Sequence, residues 1–223
     1  MQARINKYAQ RGMTFIEGVA VAAVLFILLV VLWPRSVGAP ANAKRINCLS
    51  QLKAIGLSFR MWSNDNGDKF PWQVPVATNG TLEFAESPEV FRHFLAISNE
   101  LSSTKVLACA SDTEISRVSD FVKLNNAHLS YFVGLEANEA FPQTILSGDR
   151  NILGGTVTTN SLVRFDSQSP AHWGTELHNR QGNIGLSDGS ALQFTDNSLR
   201  KQIEAALLST NVGALRFSIP KPN

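Results

Sequence analysis

Charge is sparse in this 223-residue chain. Asp, Glu, Lys and Arg together make up 17% of it, and the formal net charge is only +2, so it offers nucleic acid no basic field. Cysteine is rarer still. The two present, Cys48 and Cys109, are too few for a zinc pattern. They either pair, if their surroundings are oxidising, or pack as two small buried hydrophobes. The sequence has no Gly-x-Ser-x-Gly elbow, no His-Glu-x-x-His and no phosphate-cradling glycine loop. His93 and His128 stand in no constellation. His172, His178 and Asp188, with Ser187 and Ser190 nearby, are the minimal material for a hydrolase or a metal centre. A histidine preceding a hairpin, however, more often bonds nearby backbone or an aspartate and fixes the turn. No enzyme and no cofactor is expected.

Acids are also missing from the first twelve residues, which hold Arg4, Lys7 and Arg11. Apolar residues then dominate from Met13 to Trp33, with one carboxylate, Glu17, near the start. Pro34 and Arg35 close the run. As a helix, that segment is expected to span ~30 Å of hydrocarbon, and the basic leader would hold the N-terminus in the cytoplasm. A secretory signal peptide would have a shorter apolar core with a small-residue cleavage site after it. Here the small-residue candidate, Gly12, precedes the run, so cutting there removes a basic leader and keeps the apolar segment.

Arg-Gly-Met-Thr-Phe-Ile-Glu, residues 11–17, resembles the prepilin peptidase site of type IV pilins and type II secretion pseudopilins. In that family a basic leader ends in Gly and a Glu stands fifth in the mature chain. The resemblance implies cleavage between Gly12 and Met13, N-methylation at Met13, and assembly through the following helix, with Phe15 and Glu17 as assembly residues. Pro34 falls where many family members also carry proline, while Met13 departs from the commoner Phe. The Met13 amine freed in one subunit would then meet Glu17 of a neighbour. Each would cancel the other's desolvation cost, and wrong axial registers would leave both unpaired.

Pro34, Gly38 and Pro40 predict a broken joint over 34–41. A helix over 42–64 follows, its stripe formed by Ile46, Leu49, Leu52, Ile55, Phe59 and Trp62, with Lys44, Arg45, Lys53 and Arg60 on other faces. Asn64-Asp65-Asn66-Gly67 stops it. Beyond that, residues 65–223 read as a globular α+β head. Ser87-Pro88-Glu89 should open a helix to Ile97. Strands are expected over 105–109, 129–133, 144–146 and 215–219, a loop or weak edge strand over 151–160, and a last helix capped by Asn197 or Ser198. Within 182–194, a three-residue loop, Ser187-Asp188-Gly189, pairs Leu186 with Ser190 and Ile184 with Leu192. It puts Ile184, Leu186, Leu192 and Phe194 on one face, with Gly189 in the left-handed position.

The helix sequence from Cys48 is also similar to prepilin-like proteins of Planctomycetes and Verrucomicrobia. Cys48, Leu52, Lys53, Ile55, Gly56, Asp65 and Asn66 match their pattern, whereas Gln51 and Ala54 depart from it. That family often carries a second cysteine before Pro-Ser-Asp. Here the segment reads Cys109-Ala110-Ser111-Asp112, and the resemblance implies a Cys48–Cys109 disulfide. His178, nine residues and then Asp188-Gly189 resemble its C-terminal His-x9-Asp-Gly segment. Related pseudopilins bind calcium in a head loop, which would draw on Asp65 and Asp68, although that stretch reads first as a helix stop and lacks the distal glutamate of an EF-hand. Phe59, Trp62, Phe70 and Trp72 suit either an aromatic patch for sugars or a core.

Together these readings predict a pilin-like α+β protein. Its long N-terminal helix spans the membrane, breaks near Pro34–Pro40 and packs on a small antiparallel sheet. The predicted function is that of a prepilin-like structural subunit of a type II secretion or type IV pilus-like filament. It would sit single-pass in the inner membrane, head in the periplasm. Expected partners are prepilin peptidase, other pilin or pseudopilin subunits, an inner-membrane assembly platform and lipid, with no nucleic acid. The rival is a signal-anchored periplasmic binding module or enzyme whose anchor is only a tether.

Overall fold

The computed structural model describes residues 14–32, 39–159 and 161–222. The chain divides into two units, Met1–Pro40 and Ala41–Asn223. In the first, helix α1 covers Phe15–Leu32. A reciprocal cap sets its start. The Thr14 backbone N–H donates to Glu17 Oε2 at 2.8 Å, and the Glu17 N–H donates to Thr14 Oγ1 at 3.4 Å. This is a capping box, in which Thr and an acid three residues on each satisfy one donor of the helix's first turn.

The predicted membrane span is overturned. Among the described residues no helix is long and apolar enough to cross a membrane. Helix α1 has 18 residues, or ~27 Å at ~1.5 Å each, short of the ~30 Å hydrocarbon core. Its first turn moreover carries Glu17. The pilin-like description of a long membrane-spanning helix falls with it, as does the single-pass inner-membrane placement with a periplasmic head. Most of the joint predicted over 34–41 lies outside the described residues. Helix α2, Ala39–Asp65, starts earlier than expected and takes in Pro40 near its N-terminus, where a missing N–H costs little.

The second unit is α+β. After α2 come α3 (Phe91–Ala96), β1 (Tyr131–Gly134), β2 (Ile145–Asp149), β3 (Ile152–Leu153), β4 (Thr156–Val157), β5 (Leu162–Phe165), β6 (His172–Trp173), β7 (Gly182–Leu186), β8 (Ala191–Phe194), α4 (Asp196–Thr210) and β9 (Leu215–Ser218). Seven strands form one antiparallel sheet in the order β4-β5-β9-β1-β2-β7-β8, and β3 pairs separately with β6.

Side chains alternate across a strand, so β1 and β2 each feed two cores. Tyr131, Val133 and Leu146 join Cys48, Leu52, Ile55, Phe59 and Trp62 of α2 in one buried cluster. Phe132, Ile145, Ile184 and Phe217 join Leu199, Ile203, Ala206 and Leu207 of α4 in another. The sheet therefore lies between α2 and α4. Phe59, Trp62, Phe70 and Trp72 are all buried in the first cluster, so they serve as core rather than as a sugar-binding patch.

Several local expectations give way to turn chemistry. Residues 105–109 form no strand; Thr104–Leu107 is a 3-10 turn capped by Ser103 Oγ. Ser87 Oγ accepts from Glu89 N–H, but the helix begins only at Phe91. Thr195, not Asn197 or Ser198, caps α4, and Ser198 completes the reciprocal bond. The hairpin register pairs Ile184 with Leu192, and Leu186 N–H donates to Ser190 O at 2.8 Å. Gly189 sits at φ 84°. Leu192 nevertheless remains 49% exposed, because β8 is the sheet's edge and its outer flank is uncovered.

Phe59 is fully buried, with ring centroids 5.3 Å from Trp72 and 5.7 Å from Phe94. Phe59→Ala should lower the unfolding free energy by about 3–5 kcal/mol in urea denaturation, since it removes transfer energy and leaves a cavity. A loss under ~1 kcal/mol would mean that α2 does not seal this core.

Candidate functional site

Cys48 and Cys109 are joined by a disulfide across a sequence separation of 61 residues. Closing a loop of that length stabilises the fold by about 4 kcal/mol through the entropy of the unfolded chain. Cys48 lies on the buried stripe of α2, and Cys109 lies in the segment leading to β1. The Cys109 N–H donates to Ser130 Oγ at 2.9 Å, Ser130 Oγ donates to Asp112 Oδ2 at 3.0 Å, and the Asp112 N–H donates to Cys109 O at 3.1 Å. Arg150 grips Asp112 with two bonds, Nε to Oδ2 at 2.7 Å and Nη2 to Oδ1 at 2.8 Å. The Cys-x-Ser-Asp segment is thus a turn locked by a buried, forked ion pair.

Sheet register brings polar groups to the same face. Tyr131 of β1 stands opposite Asp149 of β2, and Asn183 of β7 follows beside it. The Tyr131 hydroxyl donates to Gln51 Oε1 at 3.0 Å. Asp149 is 0% exposed. Its Oδ2 accepts Asn183 N–H at 2.8 Å and Asn183 Nδ2 at 3.0 Å, while Oδ1 has no hydrogen-bond partner. His178, whose side chain is 2% exposed, closes the cluster. Its Nε2 lies 3.5 Å from Cys109 Sγ and 3.4 Å from Asp149 Oδ2. Arg45 of α2 bonds Gln181 Oε1 and the carbonyls of Gly182 and Phe194, fixing the chain that delivers His178 and Asn183.

Burial sets the protonation of this cluster. Desolvation pushes the Asp149 carboxyl up to about 7, against the opposing pull of the Asn183 N–H and the Arg45 charge. Desolvation, helped by Arg45, pushes the His178 imidazole down to about 4. Desolvation also raises the Tyr131 phenol well above its ordinary value. Between about pH 4 and 7 the arrangement is a neutral imidazole and a protonated carboxyl against a disulfide. No hydroxyl nucleophile is placed against His178 by a hydrogen bond among the described residues.

The other residues singled out in the sequence lie apart from this cluster. Gly12 and Met13 fall outside the described residues. Phe15 is 86% exposed, and Glu17 is engaged with Thr14. His178 turns away from Asp188 and toward the disulfide. Asp188 instead caps its own turn, accepting Ser190 N–H at Oδ1 at 2.8 Å, and its carbonyl accepts Arg60 Nη1 at 2.8 Å. Gly189 lets that turn approach α2, since a Cβ there would stand 3.2 Å from Arg60 Cδ. His172 Nδ1 is held by Pro170 O, and His93 Nδ1 meets Thr81 Oγ1 at 2.7 Å in the core. Asp65 and Asp68 belong to no group of three or more converging His, Cys, Asp or Glu ligands; among the described residues, Cys48, Cys109 and His178 form the one such group.

Set against known proteins, the chain matches no family model, no curated protein and no solved structure. The comparisons therefore lend no support to a pilus or secretion-system assignment.

A pH test follows from the two buried groups. In the unfolded chain Asp149 ionises near 3.8 and His178 near 6.5. Between about pH 4 and 6.5, unfolding thus releases a proton from Asp149 and adds one to His178. The Asp149 contribution makes stability fall as pH rises, the His178 contribution makes it rise, and each amounts to ~1.4 kcal/mol per pH unit. They cancel in the intact chain. His178→Gln should therefore tilt urea-measured stability downward with pH over this window, and Asp149→Asn should tilt it upward. Slopes identical to the unsubstituted chain in both variants would refute the burial of these groups in the stated protonation.

Proposed function

We propose that this protein is a prepilin-like structural subunit, cut between Gly12 and Met13 by a prepilin peptidase and assembled with like subunits through α1. The observation that carries the reading is an apolar helix with its side chains in the open. Phe15, Ile16, Val19, Val21, Val24, Leu25, Phe26, Ile27, Leu28 and Leu29 are all exposed. An apolar surface of that extent is not stable in water and calls for a partner. Its occupant in this reading is the same helix of another subunit, which offers a matching apolar face and a matching acid.

The capping box supports the reading and refines it. Thr14 and Glu17 begin the helix directly after the proposed cleavage point, so the first turn forms without the leader. Thr14's backbone N–H and hydroxyl hold the Glu17 carboxyl below its ordinary value, which keeps it ionised. An ionised acid in the first turn suits the positive helix end and suits a neighbour's new α-amine.

Expression with and without prepilin peptidase, followed by N-terminal sequencing of the product, checks the processing step. A start at Met13 only when the peptidase is present is expected; an intact Met1 in its presence sinks the proposal. Glu17→Gln separates the two roles of the acid. Glutamine keeps the capping box but carries no charge. Helix content should persist, while cross-linking between copies through α1 should fall at least about tenfold, the size of one lost charge-assisted contact. Full cross-linking by that variant would leave Glu17 as a cap alone.

A further inference from the structure

We infer that Cys48, Cys109 and His178 form a three-ligand site for a zinc-class cation when the Cys48–Cys109 bond is open, with the Asp149 carboxyl beside His178 as the group nearest the fourth position. The ligand atoms of Cys48, Cys109 and His178 lie within 4.8 Å of one another. A tetrahedral centre with bonds of ~2.3 Å to sulfur and ~2.0 Å to nitrogen and oxygen has edges of roughly 3.5 Å from sulfur to nitrogen and roughly 3.3 Å from nitrogen to oxygen. The observed separations are 3.5 Å from Cys109 Sγ to His178 Nε2 and 3.4 Å from His178 Nε2 to Asp149 Oδ2. Those two separations match tetrahedral edges. The edges from Asp149 to the sulfurs do not, because Asp149 lies outside the group whose ligand atoms converge within 4.8 Å, so its carboxyl must shift to take the fourth position. The sulfur–sulfur edge is also not in place, because those atoms are covalently bonded, and reduction frees them to part.

The surroundings are those of a ligand shell. Asp149 Oδ2 is oriented by two N–H groups of Asn183, as metal-bound carboxylates usually are. Oδ1 of the same wholly buried carboxyl has no partner and so is free to take a ligand. The Ser111 N–H points at Cys109 Sγ from 3.4 Å and would stabilise a thiolate there. Ligands would come from α2, the Cys109 turn, β2 and the segment before β7. A bound cation would cross-link the same elements as the disulfide and two more.

The redox step balances simply. A phosphine reductant supplies two electrons to the sulfur–sulfur bond and takes its oxygen from water. Each sulfur retains one of that water's protons, and cation capture displaces both as the thiolates form.

The test uses the full chain, reduced with a phosphine, cleared of it without air, and titrated with Co2+. One Co2+ per chain is expected, with tetrahedral visible bands and thiolate-to-metal charge transfer in the near ultraviolet, both abolished by Zn2+. The oxidised chain should show neither. His178→Ala and Asp149→Asn should each weaken binding at least about tenfold, a loss typical of disturbing such a site. Cys48→Ser should remove the charge-transfer band in part, and Cys48→Ser with Cys109→Ser entirely. If the reduced chain is folded by circular dichroism and shows no thiolate band, the inference fails. If the reduced chain is unfolded, Zn2+ should restore a cooperative unfolding transition; no restoration also defeats it. Processing at Gly12 plays no part in any of these readings, so success or failure here is independent of the assembly proposal.

Discussion

The second unit is governed by one constraint: a seven-stranded sheet with two apolar faces must be covered twice. Tyr131 and Val133 face one way and Phe132 the other, and each side holds fully buried aromatics. Helix α2 arrives from the N-terminal side of the chain and α4 from near its end. The disulfide pins the first of them. The polar cluster follows from the same geometry. Once Cys48 of α2 lies on the sheet, whatever stands at Asp149 and Asn183 is sealed beneath it, and it must be neutral or paired.

This accounts for the protonation found there. Asp149 is buried with Arg45 and Asp112 as its charged neighbours, and Arg45 is itself occupied by Gln181 and two carbonyls. Desolvation outweighs Arg45, so the carboxyl keeps its proton over the range where a surface aspartate has lost it. His178 loses its proton for the same reason. Asp112 is held differently. Two forked bonds from Arg150 and one from Ser130 satisfy it. The difference between the two aspartates is the number and charge of donors that reach them.

Part of this was legible in the sequence and part was not. The stripe Leu52, Ile55, Phe59 and Trp62 declared the buried side of α2 by its period, and the Ser187-Asp188-Gly189 loop declared the hairpin register by its face requirement. Arg45 was read only as lying off the apolar stripe, because helical period says which face a residue occupies but not that neighbouring strand ends will supply three acceptors. Asp149 was missed altogether. An acid ending an apolar strand looks like a turn residue until the register sets it opposite Tyr131. β5, residues 162–165, passed unnoticed because Leu-Val-Arg-Phe is too short to display a period, with only Arg164 exposed. The Thr14–Glu17 box was readable as Thr-x-x-Glu before an apolar run, yet the glutamate drew attention as an unpaired charge rather than as a cap. The apolar run itself suggested a membrane span by composition, and the observed helix, beginning at Phe15 and ending at Leu32, is too short for it.

The cap and the proposed pairing at Glu17 do not compete for the same atoms. A carboxylate has two oxygens and about four lone-pair sites, and the Thr14 bond engages only Oε2. A cation approaching Oε1 finds an acid already oriented and already ionised, so little rotamer entropy remains to be lost on pairing. A free glutamate on a helix surface would lose more. The same two residues that start the helix thus hold the charged group in one position, and under the proposed assembly local capping would prepare the pairing rather than compete with it.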